Sequence, residues 1–88
     1  MAQRKGIAYQ HREWVEKNPL RVWRRETKTP QMAVASVVGV SVFAVQTWEI
    51  GSNRPNPEHM EKLARLVGRA PEDFAHEWDS WLAARPTL

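Results

Sequence analysis

At 88 residues the chain holds one small domain and is too short for two independent cores. Hydrophobic residues make up 42% and charged residues 26%, ordinary globular proportions that exclude a wholly disordered or collagenous chain. The absence of cysteine excludes disulfides, iron–sulfur centres, thiolate zinc sites and cysteine nucleophiles.

The net charge of +3 is unevenly spread. Residues 1–28 carry eight basic and three acidic residues, whereas residues 58–88 carry four basic and six acidic. Such asymmetry suits one end to a polyanion, although an ordinary solvated basic face gives the same pattern. No signal-peptide pattern opens the chain, and its longest apolar-dominated run, Ala33 to Val45, is shorter than the ~20 residues of a membrane span. A cytoplasmic protein without membrane contact is expected.

In chain order, Met1 to Gly6 reads as a mobile basic arm bearing Arg4 and Lys5, and Tyr9 to Lys17 as a helical lead-in that packs Trp14. Residues 1–17 are thus an arm or lead-in helix, 18–84 the domain proper and 85–88 a tail. Asn18-Pro19, Thr29-Pro30 and Asn56-Pro57 each put an N-cap residue before proline, whose fixed φ and missing N–H suit a first helical position. A further start falls at Pro71, where Glu72 and Asp73 complement the helix dipole. Gly51 and Gly68 follow apolar-periodic runs as C-terminal caps. An all-α domain of five helices follows: Pro19 to Glu26, Pro30 to Val38, Val42 to Ile50, Pro57 to Val67 and Pro71 to Ala84.

The valine-rich stretch from Val34 to Val45 is ambiguous. Propensity alone makes it two strands about Gly39, whereas Ser41 as an N-cap and the i, i+3 spacing of Val45 and Trp48 favour helix, turn and helix. In the helical reading, small Ala35 permits close helix approach and Gly39 takes the left-handed turn conformation. Val40, Val45 and Trp48 fill the wedge. Arg24 is expected to pair with an acidic residue such as Glu49 inside the fold.

Phe74, Trp78, Trp81 and Leu82 form an amphipathic stripe at i, i+4, i+7 and i+8. Part of it closes the core; Trp81 and Leu82, with Trp78 partly in the core, are candidate contacts to a second copy. Core packing alone also accounts for the stripe. His11, His59 and His76 are too scattered for a metal site, and no Ser-His-acid order, phosphate loop or HExxH pattern occurs. No catalytic residue, metal or cofactor is expected.

Gln31, Val34-Ala35, Gly39-Val40-Ser41, Val45, Trp48-Glu49-Ile50-Gly51, Arg54-Pro55 and Leu63-Ala64…Gly68 together resemble the lambda-repressor-like, Cro-type helix-turn-helix family, also called the xenobiotic-response-element family. The likeness spans Asn18 to Phe74, with NPLRVWRRE resembling the first helix of many members. Thr29 departs from the usual leucine, Pro30 from a serine or threonine cap, and Val34 from leucine.

The resemblance implies a five-helix fold and a bacterial or phage-encoded repressor-like regulator that reads a palindromic operator as a homodimer. It places Val42, Phe43, Gln46 and Thr47 at base edges. Gln46 would take adenine, Thr47 would offer a hydroxyl or methyl, and Val42 and Phe43 would make apolar contact such as with a thymine methyl. Gln31, Ser41, Ser52, Asn53, Arg54 and Lys28 are the implied phosphate contacts. No Lys or Arg lies between Gln31 and Asn53, so electrostatic affinity comes from elsewhere. A protein-interaction module of the same fold, antitoxin-like or antirepressor-like, would use Val42, Phe43 and the tryptophan stripe instead.

Overall fold

The computed structural model describes residues 6–87. All regular structure among them is helical: α1 (Ile7–Glu16), α2 (Pro19–Thr27), α3 (Gln31–Val38), α4 (Val42–Glu49), α5 (Pro57–Val67) and α6 (Pro71–Ala83). The all-α expectation stands, and the strand alternative about Gly39 does not, since Val34 to Val38 and Val42 to Val45 are helical. The arm at residues 1–5 lies outside the described residues.

Helices number six rather than five because the lead-in is a full helix. Its N-cap, Gly6, has no side chain to cap with. What holds α1 is tertiary contact made by Trp14, which is buried. The Asn-Pro signals work as their chemistry dictates: Asn18 accepts from the Arg21 N–H at 2.9 Å and Asn56 from the His59 N–H at 2.8 Å, each with proline at the first helical position. Thr29-Pro30 behaves differently. Pro30 is itself the extended N-cap and α3 begins at Gln31, while Thr29 shares a 2.7 Å hydroxyl contact with Thr27 and its carbonyl accepts from Arg24.

The core draws on all six helices. Trp14, Leu20, Val34, Val38, Val45, Leu63, Phe74 and Trp78 are buried in one cluster. Ala35, buried on the α3 face with Val34 and Val38, keeps α3 close to α4. At the far side α1 and α6 are joined by two indoles. Trp14 and Trp81 stack with ring centroids 4.1 Å apart and planes 2° from parallel. Each indole N–H donates to the other residue's carbonyl, at 2.6 and 2.7 Å. Gly51, with φ +80°, lies beneath this clasp; a Cβ there would sit 2.5 Å from Cη2 of Trp14.

Candidate nucleic-acid interface

The turn from α3 to α4 has three residues. Gly39, at φ +85°, occupies the left-handed region that side chains disfavour. Its N–H and that of Val40 both donate to the Ala35 carbonyl, at 2.8 and 3.0 Å, closing α3. Ser41 then caps α4 by accepting from the Ala44 N–H at 3.1 Å. The two helices consequently meet at a bend of 111°.

Most of α4 faces inward, with Val45, Thr47, Trp48 and Glu49 all buried. Phe43 and Gln46, one turn apart, remain exposed, Phe43 at 71%; Val42 beside them is half-buried. Ile50 continues this edge past the helix end. Glu49 is the only carboxylate between Gln31 and Asn53 and is fully buried. Arg24 grips it with two bonds, Nε at 2.6 Å and Nη2 at 2.7 Å, and Gln31 Nε2 adds a third at 3.0 Å. Arg21 stands 3.7 Å away. The hydrogen bond to Glu49 raises the Arg24 pKa above its ordinary value against the opposing effect of burial. One carboxylate thus ties α2, α3 and α4 together and leaves the outer face of α3 and α4 without exposed charge. This is the Arg24–Glu49 pair anticipated from the sequence.

The structure revises several expected roles. Thr47 is buried and its hydroxyl donates to the Ala44 carbonyl at 2.8 Å, so it is not presented to a base edge. Its carbonyl instead accepts from the N–H groups of Ser52 and Asn53, shaping the loop after α4. Gln31 directs its amide toward Glu49, where one of its two N–H donors is engaged. Arg54 forms a two-pronged pair with Asp79, Nε to Oδ1 at 2.7 Å and Nη2 to Oδ2 at 3.2 Å. That bond holds the Asp79 carboxyl below its usual range and raises the Arg54 pKa. Arg54 is therefore a brace from the loop to α6, since a phosphate would have to displace a matched carboxylate.

Other positions remain open. Ser41, Ser52, Asn53 and Lys28 are exposed, Lys28 as the left-handed C-cap of α2. The expected dimer contacts are corrected: Trp78 is fully buried and Trp81 is 6% exposed against Trp14, leaving only Leu82, half-buried, from that group. Outward α6 positions are instead polar, with Glu72, Asp73, His76, Asp79 and Ser80 exposed.

Sequence reasoning missed Met32 and Val37, which stand 70% and 63% exposed on α3. Their signal was the helix phase: with Val34, Ala35 and Val38 inward, positions 32 and 37 must face out. Among the described residues no three His, Cys, Asp or Glu side chains gather to hold a metal, and no single helix is long and apolar enough to cross a membrane. No protein-family model, curated protein or solved structure matches the chain.

Proposed function

We propose that this chain is a sequence-specific DNA-binding regulator, with α3, its turn and α4 acting as a helix-turn-helix and α4 entering the major groove. The observation that carries this reading is the presentation of α4. A three-residue turn closed by left-handed Gly39 sets it at 111° to α3, within the range of about 90–120° typical of such units. The same turn leaves Phe43 and Gln46, near the helix start, free to meet base edges.

Gln46 carries an amide suited to bidentate pairing with adenine, and Phe43 with Val42 supplies apolar contact. Ser41, Ser52, Asn53 and Lys28 border this edge in sequence and serve the phosphates with hydroxyl, amide and ammonium donors. Since one such helix reads few base pairs, two copies occupy the half-sites of a palindrome about 34 Å apart.

Selection from a random duplex pool tests the reading: one palindrome should be enriched. Because few cations border the face, the log–log salt slope should be shallow, about −1 to −3 per copy. Absence of any enriched sequence overturns it, even where salt-dependent binding is found. A second reading, a protein-interaction module, is favoured by one observation, the exposure of Met32 and Val37. It requires a partner protein whose binding hardly responds to salt and is lost when both residues become serine.

A further inference from the structure

Resting on the DNA-binding reading, we propose that Phe43 makes α4 a reader of the pyrimidine C5-methyl group, accepting thymine and 5-methylcytosine alike. On the outward edge of α4 the exposed side chains are Phe43 and Gln46, with Val42 half-buried beside them, because Thr47 is buried with its hydroxyl held by Ala44. A phenyl ring has neither a donor nor an acceptor. It therefore cannot distinguish the O4 of thymine from the N4 amino group of cytosine, and the one pyrimidine group it can favour in the major groove is the methyl on C5. The ring is the second residue of α4, at the end that approaches base edges, and 71% of its surface is exposed among the described residues. Gln46, one turn later, supplies the polar contact that fixes the register of the neighbouring pair.

The α3–α4 face holds no exposed carboxylate to repel DNA. From Gln31 to Asn53 no carboxylate reaches the surface, the single acid Glu49 being buried and held by Arg24. Exposed carboxylates lie on α6 at Glu72, Asp73 and Asp79. A polyanion thus meets no carboxylate on the α4 side, whereas on the α6 side it meets Glu72 and Asp73, Asp79 being paired with Arg54.

The test replaces thymines of the selected duplex one at a time by uracil, 5-methylcytosine (with guanine opposite) and cytosine, and measures affinity for the full chain and for Phe43→Ala. At one position per half-site, thymine and 5-methylcytosine should bind equally, and uracil and cytosine about four-fold more weakly, the value of one methyl removed from water. Phe43→Ala, checked by thermal melting to be folded, should bind all four alike there. Equal affinity for thymine and uracil at every position overturns the proposal, as does a methyl preference that survives in Phe43→Ala. Failure to enrich any sequence overturns the DNA-binding reading itself, so the two failures are distinguishable.

Discussion

Where α1 meets α6, two indoles from opposite ends of the chain stack and exchange hydrogen bonds, and nearby arginines are matched to carboxylates, Arg54 to Asp79 and Arg69 to Glu77. Where α3 meets α4, the outer surface carries Met32, Val37 and Phe43 in water and no exposed charge. The first region buries its rings and pairs the Trp14 and Trp81 N–H groups internally, although the buried Trp78 N–H has no hydrogen-bond partner. The second satisfies its buried charge, Glu49, and leaves its apolar side chains without partners. The contrast is the reason the α3–α4 face is the one proposed to meet an external surface.

The contrast breaks most severely at Trp81→Ala. This change removes the stack, both clasp hydrogen bonds and a core side chain, and should destabilise the fold by about 3–5 kcal/mol in urea unfolding. It should do so equally at low and high protein concentration, because the ring's partner is Trp14 of the same chain and not a second copy. Glu49→Ala tests the opposite region from beneath, by leaving Arg24 part-buried without its carboxylate. A loss of about 3 kcal/mol is expected, and Glu49→Gln, which keeps a hydrogen-bond acceptor, should lose less.

These two sites show what the sequence disclosed and what it withheld. Asn18, Asn56, Ser41 and Gly39 announced their elements because caps and left-handed turns are local, involving residues within four positions. Arg24 with Glu49 was legible as a buried pair. The partner of Trp81 was not, because it lies 67 residues away and an amphipathic stripe looks the same whether covered by another helix or by another molecule. The carboxylate that engages Arg54 was not legible for a similar reason, Asp79 being 25 residues downstream. Thr47 failed on a finer point: a small rotation of α4 about its axis decides whether that position faces in or out.

Smaller effects sharpen the comparison. The guanidinium of Arg54 keeps the Asp79 carboxyl below its ordinary value of 3.8, so the pair stabilises the fold above that pH. The contribution disappears as acid protonates Asp79 below it. Arg54→Ala should therefore shift the melting temperature slightly at neutral pH, within the 0–1 kcal/mol or so of exposed pairs, and progressively less as the pH falls through the lowered pKa of Asp79. Least affected should be Phe43→Ala and Val37→Ser, each within about 0.5 kcal/mol of the parent stability. A large loss at either would mean that the α3–α4 face packs against its own chain after all.

The indole clasp also has a consequence for synthesis. Trp14 leaves the ribosome before its stacking partner, which is made 67 residues later, an interval of about 3–13 s at ordinary elongation rates. Throughout that time α1, whose N-cap residue Gly6 makes no side-chain capping bond, has no α6 to rest on. Its large aromatic face is open to chaperones and to other nascent chains. Helix α1 is thus secured only after α6 is made, and nascent chains stopped before Trp81 should leave α1 exposed to protease.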